Sequence, residues 1–346
     1  MSAVLERAVH IDRRAIMRWV LALGGAAVLF GLLVLTKGAE PFTVYRSMWT
    51  TITSSTAVDG ILLKATPLVL VAIAVAVPAR AGLVNVGGEG QLVIGGVAAA
   101  GVSLAVDGAL PGAVVLVLMI LAGAAAGAAW AAIAAGLRLR VGINEAVSTL
   151  LLNYLAINVM SFLIYDRWKD ANGSGQPATR PLPVGERFPL LGSSSVHAGL
   201  LVAVGAVAVI WWVLRSTRWG FQLRVVGGNP EAARRAGISV GMTLLSAMVV
   251  GGALAGLGGV TQLAGAEFKL RPGFLLTYGY VGFLASWLAR HRPVPVALGA
   301  LALAAISVSG DSLQLDSQLP AATVNVLMAL LLLAVFGWTR LQAAKA

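Results

Sequence analysis

The sequence predicts an all-α polytopic membrane protein with about ten transmembrane helices, some of them short or broken. Hydrophobic residues make up 58% of the 346 residues and charged residues only 11%, whereas a soluble domain carries roughly 25% charged residues. Long apolar runs recur along the whole chain, and the basic residues cluster between them. A chain of this composition cannot cover itself with a polar surface, so its folded form requires a bilayer.

Ten apolar segments are candidate spans, because a helix needs about 17–25 residues to cross roughly 30 Å of hydrocarbon. The third, eighth and ninth segments fall short of that length. The ten candidates are Ala15–Leu35, Ile61–Pro78, Gln91–Val106, Leu110–Leu137, Asn144–Tyr165, Ala198–Leu214, Val240–Gly265, Leu276–Leu288, Val294–Val308 and Ala321–Phe336.

The distribution of charge predicts the orientation of these spans. With the amino terminus in the cytoplasm and ten crossings, 16 of the 25 basic residues fall inside, and the net charge is +11 inside and zero outside. This asymmetry follows the positive-inside rule and favours an even number of spans with both termini cytoplasmic. The chain is then a single membrane domain, 1–346, with a cytoplasmic tail 1–14, an irregular proline-rich periplasmic loop 166–197 and a cytoplasmic loop 215–239.

Several classes of function are excluded by missing residues. The chain has no cysteine and only three histidines, which are far apart, so we expect neither disulfides nor a metal site. The basic residues lie between apolar runs, which indicates topology and a contact with lipid headgroups, not nucleic acid. No lysine follows a glycine, so a phosphate-binding loop of the G-x-x-x-x-G-K-[ST] type is missing and we expect no ATP hydrolysis by this chain.

Glycine is dense inside the apolar runs, with 41 residues in all. The pairs Gly123/Gly127 and Gly252/Gly256 have the small-xxx-small spacing that lets helix backbones approach closely. The segment Ala79–Gln91 joins two apolar runs and contains four glycines beside Asn85, Glu89 and Gln91. Irregular backbone at membrane depth persists only against protein or water, so we expect this segment to line a cavity or a cytoplasmic vestibule.

The fifth span carries a polar stripe. Glu145, Thr149 and Asn153 are spaced by four residues and share one helix face. Asn158 is turned away from Asn153 by about 140° on a regular helix. Asn153 faces either a neighbouring helix or the route of the solute.

A route for a neutral polyhydroxyl solute needs hydrogen-bonding groups but no strong charge. We expect no acid or base at the span centres, since Glu89 and Glu145 fall at predicted cytoplasmic ends. Three aromatic residues near the eighth span, Tyr278, Tyr280 and Trp287, either add to this route or lie at the membrane interface. The candidate substrate-pathway residues are Asn85, Glu89, Gln91, Asn153 and Gln262.

The loop before the seventh span contains a short predicted helix. Asn229 has the position of an N-cap, Pro230 that of the first helical residue, and Glu231 is favourable at the positive end of the helix dipole. Ala232–Ala236 continue the helix and Gly237 ends it, leaving Arg234 and Arg235 exposed. The alternative is an unstructured positive-inside anchor, which does not explain the capping residues.

These residues carry a family resemblance. The stretch GFQLRVVGGNPEAARRAGISVGMTLLSAMVVGGALAGLGG resembles the cytoplasmic loop and following span of permease subunits of ABC importers. The group is that for simple sugars, nucleosides and branched-chain amino acids, and the similarity is closest to the nucleoside or simple-sugar branch. LVNVGGEGQLVIGGVAAA, NEAVSTLLLNYLAINV and, more loosely, GYVGFLASWLARHRPVPVALGALALAAISVSGDSLQ agree with it; together the four stretches cover 110 of the 346 residues. Arg271–Gly282 departs from the family by its aromatic residues, which leaves the solute open.

The resemblance implies an ATP-driven importer in which this chain is half of the pore. Its coupling helix would dock in a groove of an ATP-binding subunit through Asn229, Pro230, Glu231, Ala232, Arg234, Arg235 and Gly237. It also implies a second permease copy or a paralogous permease, and an extracytoplasmic solute-binding protein. The chain itself would bind no cofactor, with ATP and magnesium on the partner ATPase, and it would lie in the bacterial inner membrane.

Two other functions remain as alternatives. An ion-coupled secondary transporter would need intramembrane carboxylates as relays. An intramembrane hydrolase would use Ser239 in the sequence GISVG, although that motif normally follows a strand, and a helix is predicted before it here.

Overall fold

The computed structural model describes residues 13–173, 175–274, 277–316, 319–320 and 322–343, and most of these residues are helical. Residues 1–12 of the predicted cytoplasmic tail lie outside this set. The helices are α1 (Arg13–Thr36), α2 (Pro41–Thr53), α3 (Ala57–Ala79), α4 (Gly88–Val106), α5 (Gly112–Val141), α6 (Glu145–Tyr165), α7 (Gly199–Ser216), α8 (Arg218–Gly228), α9 (Pro230–Arg235), α10 (Val240–Gln262), α11 (Tyr278–Leu288), α12 (Pro293–Asp316) and α13 (Thr323–Ala343).

Within the described part of the chain, seven helices are long and apolar enough to cross a membrane. They are α3, α4, α5, α6, α7, α10 with its continuation to Glu267, and the part of α12 up to Gly310. The bent pair α1–α2, with 115° between its two arms, is an eighth candidate. Large apolar side chains such as Leu121 and Trp212 point outward from these helices, at 60% and 57% exposure. The protein is therefore a multi-pass membrane protein.

The chain divides into two compact units, one of residues 55–305 and one of residues 1–54 with 306–346. The larger unit is built around α10, which packs against α3, α4 and α5, while α11 packs against α3 and α4. In the smaller unit α1 packs against α13. Tyr45 of α2 packs on Phe30 of α1, with ring centroids 5.9 Å apart.

The two predicted glycine pairs pack against each other. A β-carbon at Gly127 of α5 would lie 2.9 Å from the backbone nitrogen of Gly256 in α10 and would collide with the Gly252 carbonyl. A β-carbon at Gly123 would lie 3.5 Å from the Gly256 carbonyl oxygen, an ordinary contact, and 3.0 Å from the Gly95 carbonyl oxygen of α4. The prediction of close helix packing at these pairs is confirmed.

The predicted periplasmic loop is irregular, as expected, but it is folded onto the helices around it. Its only helical part among the described residues is the 3₁₀ turn Val184–Glu186. Backbone hydrogen bonds join Leu182 to Phe268 (2.7 Å) and Phe188 to Ala264 (2.9 Å). Ser103 of α4 also donates a hydrogen bond to the buried Glu186.

Each of the ten predicted spans coincides with a helix, but two parts of the helix assignment were wrong. The sequence analysis placed no helix after the first span, where α2 begins with the side chain of Glu40 accepting from the backbone of Phe42 and Thr43. The eighth predicted span is not a crossing, because the 11 residues of α11 extend only about 16 Å at 1.5 Å per residue.

Candidate functional site

The predicted coupling helix is formed in the structure as α9. The Asn229 side chain accepts hydrogen bonds from the backbone nitrogens of Glu231 and Ala232, both at 3.0 Å, and Pro230 is the first helical residue. At the other end Gly237 has φ of +79°, a left-handed conformation that glycine adopts without strain. Each of these features was predicted, and together they give a six-residue helix a fixed shape.

The outward face of α9 carries two arginines. Arg234 and Arg235 have side-chain exposures of 68% and 81%, and both pair with Glu231, at 2.6 and 3.3 Å. Glu231 itself is exposed, whereas Ala233 is fully buried and fixes the helix to the protein body. Exposed ion pairs of this kind add little stability, so these charges are available to another protein.

The helix before α9 is anchored in the larger unit. Leu223 and Val226 of α8 are fully buried, and the Trp219 indole nitrogen donates to Ser246 of α10 at 2.9 Å. Near its end, a β-carbon at Gly227 would lie 3.0 Å from the Arg80 carbonyl carbon and would collide with its oxygen. The backbone of α8 thus rests directly on the backbone at the end of α3.

The second site is the break between α3 and α4, where Glu89 reaches α11. Its Oε1 accepts from the backbone nitrogen of Thr277 and its Oε2 from that of Gly279, both at 2.6 Å. Glu89 is 1% exposed. The carboxylate therefore satisfies two of the unpaired N–H groups at the amino terminus of α11 and faces the positive end of its dipole.

The position of this contact along α3 shows that α11 is a half-length helix inside the bundle. A β-carbon at Gly88 would lie 2.8 Å from Val71, in the interior of α3, and 3.7 Å from Gly279. At the other end of α11, Arg80 donates to the His291 carbonyl at 3.0 Å. Val71 is eight residues before Ala79, the end of α3, or roughly 12 Å along the helix axis. Glu89 is therefore well inside the bundle, although it lies in the first turn of α4, at the end of a span as predicted.

The polar stripe of α6 holds the irregular segment that leads to Glu89. Glu145 accepts from the backbone nitrogen of Val84 at 2.9 Å, and Thr149 accepts from that of Val86 at 3.2 Å. Asn153 accepts from Gly90 at 2.8 Å and donates to the Val86 carbonyl at 3.0 Å. The backbone between α3 and α4 lacks helical hydrogen bonds, and these bonds from α6 take their place. Irregular backbone among membrane helices requires such partners.

The remaining predicted pathway residues are buried in the same region or close to it. Asn85 and Gln91 exchange two side-chain hydrogen bonds, at 3.0 and 3.1 Å, and are 0% and 1% exposed. Gln262 is the last residue of α10 before the π-helical turn Leu263–Glu267. The sequence analysis expected the segment Ala79–Gln91 to line a cavity. Arg80 lines a cavity, whereas the side chains of Asn85, Glu89 and Gln91 form hydrogen bonds with other groups of the protein.

Comparison with known proteins identifies the family. Residues 57–336 match the model described as the branched-chain amino acid transport system permease component. The chain is 37% identical to a glucose ABC transporter permease protein of Haloferax volcanii over 340 residues, which covers 93% of this chain and 88% of the relative. It is 30% identical to a guanosine ABC transporter permease protein of Bacillus subtilis over 308 residues, covering 88% of each, and 28% identical to a nucleoside ABC transporter permease protein of Lactococcus lactis over 320 residues, covering 88% and 87%.

The chain belongs to this permease family.

As an ABC importer permease, the protein is a transport subunit without its own ATPase site, and the family implies an ATP-binding subunit and a substrate-binding protein as partners. The resemblance drawn from the sequence is thus confirmed. The argument used against a secondary transporter, that acids are missing from span centres, carries less weight, because Glu89 of the permease is a buried carboxylate inside the bundle although it lies at a span end. Family membership, not the absence of acids, decides between these two classes.

The hydrolase alternative gains no support from the permease structure. Ser239 directly precedes α10 and follows α9, so the strand that a nucleophile elbow needs is replaced by a helix.

The structure also bears on Tyr280, for which the sequence analysis left open a place on the solute route or at the membrane interface. The Tyr280 side chain, in the first turn of α11, lies near Asn153 and Glu89. Tyr280 is 39% exposed, so its side chain is the solvent-accessible edge of the polar cluster that it forms with Glu89 and Asn153. Asn158, in contrast, donates to the Tyr154 carbonyl of its own helix and is exposed, and it does not share a surface with the buried Asn153, as predicted.

Proposed function

We propose that this permease forms half of the translocation pore of an ATP-driven importer for a nucleoside or a simple sugar. It would lie in a bacterial inner membrane with both termini cytoplasmic, as one membrane domain, and pair with a second copy or with a paralogous permease. ATP and magnesium would be bound by the ATPase partner, and the permease itself would hold no cofactor. An extracytoplasmic binding protein would deliver the solute.

The observation that carries the proposal is the capped and exposed α9. A six-residue helix with an Asn229 cap, a Gly237 end and a buried Ala233 has a defined shape as well as charge. A positive-inside anchor needs only the charge. We assign the role of coupling helix to Asn229, Pro230, Glu231, Ala232, Arg234, Arg235 and Gly237.

The class of solute is supported by the relatives and by the polar cluster. The relatives named above are described as permeases for glucose, guanosine and nucleosides, and these solutes share a polyhydroxylated ring. The proposed pathway groups Asn85, Glu89, Gln91, Asn153 and Gln262 lie in or near the break region, with Tyr280 at its open edge. Amides and a phenol suit hydroxyl groups, and an aromatic ring stacks on sugar or base faces.

The proposed mechanism transmits motion and involves no covalent chemistry in this chain. Closure of the ATPase subunits would move α9, and α8 would carry the movement to the end of α3 through Gly227 and Arg80. The pathway groups would then be closed in one state and open in the other. Only contacts that differ between the two states can drive such a shift.

The test replaces both exposed arginines of α9. Arg234→Ala with Arg235→Ala removes the two charges but keeps Asn229, Gly237 and the helix-forming alanines. Charge pairs at an interface contribute about 1.5 kcal/mol or more each, so we expect the loss of both to weaken ATPase-subunit binding roughly a hundredfold or more. The readouts are pull-down of the ATPase subunit and ATP-dependent uptake of labelled glucose and guanosine in proteoliposomes with the complete transporter.

A matched control is Arg140→Ala with Arg290→Ala, which removes two exposed arginines on the same predicted side, one in the last turn of α5 and one in the turn after α11. We expect this variant to bind and transport normally. Undiminished ATPase binding by the α9 variant would refute the docking role. Uptake driven by a proton gradient without ATP would refute the importer, and uptake of neither solute would refute only the proposed solute class.

A further inference from the structure

A cavity of about 440 Å³ opens beside the end of α3, at the side of the larger unit that carries α8 and α9. The carboxyl end of α7, the helix α8 and the start of α12 complete its walls. None of its nine lining residues is acidic, and four of them are arginines. The lining residues are Arg80, Trp211, Leu214, Arg215, Arg224, Arg292, Pro293, Val294 and Pro295.

Three of the four arginines are held in place by neutral groups. Arg80 donates to the His291 carbonyl at 3.0 Å, and Arg224 donates to the Leu214 carbonyl. Arg215 lies over the Trp211 ring, 5.5 Å from its centroid. Burial, followed by the nearby positive charges of Arg292 and Arg224, lowers the pKa of Arg80. The cavity therefore concentrates positive charge that its own walls do not neutralise.

The remaining walls are apolar and continue onto exposed membrane-helix surface. Trp211 and Trp212 of α7 are 44% and 57% exposed, and Val294 and Leu298 of α12 are 46% and 63% exposed. A soluble anion would leave this apolar surface uncovered. A molecule with an anionic head and long hydrocarbon chains fits both parts at once.

We propose that this cavity binds the phosphate headgroup of an anionic phospholipid, with its acyl chains along the exposed faces of α7 and α12. Guanidinium groups pair with phosphate oxygens through two parallel hydrogen bonds, and they are more weakly hydrated than an ammonium group, so their desolvation costs less. Basic pockets between membrane helices on the cytoplasmic side are established sites for such headgroups. The site does not depend on which solute the permease carries.

The bound lipid would join three parts of the molecule. Arg80 belongs to the end of α3, Arg224 to α8 and Arg292 to the turn between α11 and α12. A phosphate between them would remove the repulsion among these arginines and fix α8 relative to the half-helix α11. We therefore expect anionic lipid to raise the thermal stability of the permease as well as to bind it.

The experiment uses the full-length permease in complex with its ATPase subunit. Native mass spectrometry measures binding of phosphatidylglycerol, of phosphatidylcholine and of the water-soluble headgroup glycerophosphoglycerol. The test variant is Arg215→Gln with Arg292→Gln, because neither of these side chains makes one of the hydrogen bonds that hold Arg80 and Arg224. Each lost charge-assisted pair corresponds to about a tenfold change in Kd.

Preferential binding of phosphatidylglycerol over phosphatidylcholine, weakened about tenfold or more in the variant, supports the proposal. Normal binding in the control variant Arg140→Gln with Arg290→Gln supports it further. Equal binding of the two lipids overturns the proposal, and so does binding of the soluble headgroup as tight as that of the lipid. If the test variant fails to fold, the variant Arg215→Lys with Arg292→Lys takes its place, because it keeps both charges but removes both guanidinium groups. An unchanged lipid preference in this variant, with no loss of affinity for phosphatidylglycerol, overturns the role of the guanidinium groups.

Discussion

Glu89 is a buried carboxylate among membrane helices, and both of its oxygens are occupied by backbone N–H groups of α11. A charge at this depth is costly unless it is hydrogen-bonded. The start of α11 equally depends on it, because N–H groups buried away from water need partners. Each side of this contact therefore stabilises the other.

We predict that Glu89→Gln destabilises the permease by about 1–3 kcal/mol, the cost of a buried donor without an acceptor. The amide of glutamine offers one oxygen and a donor, so it cannot accept from both Thr277 and Gly279. The measurement is thermal unfolding of the purified protein together with ATP-dependent uptake.

The matched control is Glu40→Gln. Glu40 also accepts from two backbone nitrogens at a helix start, but it is exposed, so water replaces the lost bonds and we expect a smaller change. An equal loss of stability in the two variants would show that the burial of Glu89 does not raise the cost of losing its carboxylate.

The contrast between Asn229 and Glu89 shows what the sequence could predict at single positions. The role of Asn229 depends on residues two and three positions later, and its cap was predicted correctly from the neighbouring proline and glycine. The partners of Glu89 are 188 and 190 residues away. No local pattern specifies such a contact, so the sequence analysis placed Glu89 at a span end without its contact with the start of α11.

At the scale of helices, the contact of α5 with α10 depends on glycine at specific positions. Gly127 lies directly on Gly256, whereas a β-carbon at Gly136, nine residues further along α5, would meet no atom within 4 Å. Since helix association in lipid relies on close packing, these two glycines of one helix have different roles.

We predict that Gly127→Ala lowers stability by about 1–3 kcal/mol, because the added methyl group forces the two backbones apart. Gly136→Ala should be neutral or stabilising by up to about 1 kcal/mol, because alanine is the better helix former. Thermal unfolding of the two variants in the same detergent measures the difference. A loss of the same size at Gly136 would contradict the packing explanation.

Helix types were predicted where composition or capping determines them, and missed where tertiary contacts do. The apolar runs predicted every long span. α2 was missed because it mixes apolar and polar residues and because its 13 residues are too few to cross a membrane. Its signal was the Glu40–Pro41 pair, a capping acid before a proline at the first position. α11 was assigned a full crossing because nothing in its own residues shows that α3 and α4 enclose its start.

For the molecule as a whole, the orientation predicted from charge is open to a direct test, since the chain contains no cysteine. We expect a cysteine at the exposed Ala236, beside α9, to be protected from a membrane-impermeant maleimide in right-side-out vesicles. A cysteine at Asn172, in the predicted periplasmic loop, should react. Both should react after permeabilisation.

Labelling of the Ala236→Cys variant from outside would contradict the orientation and with it the docking of α9 to a cytoplasmic ATPase. Uptake by each variant serves as the control for folding. Because Ala236→Cys retains Arg234 and Arg235, a loss of transport would not be confused with the loss of their charges.

The contact of Gly227 with Arg80 determines how a movement of α9, in the proposed mechanism, would reach the end of α3. Two backbones in direct contact have no rotatable side chain between them, so a shift of α8 by even one ångström displaces the end of α3 rather than being absorbed. Arg80 in turn holds the last turn before α12 through His291. In the proposed mechanism, a bulkier residue at position 227 would therefore change the movement that reaches α3, while leaving the proposed ATPase-binding residues of α9 and the proposed solute-binding groups intact.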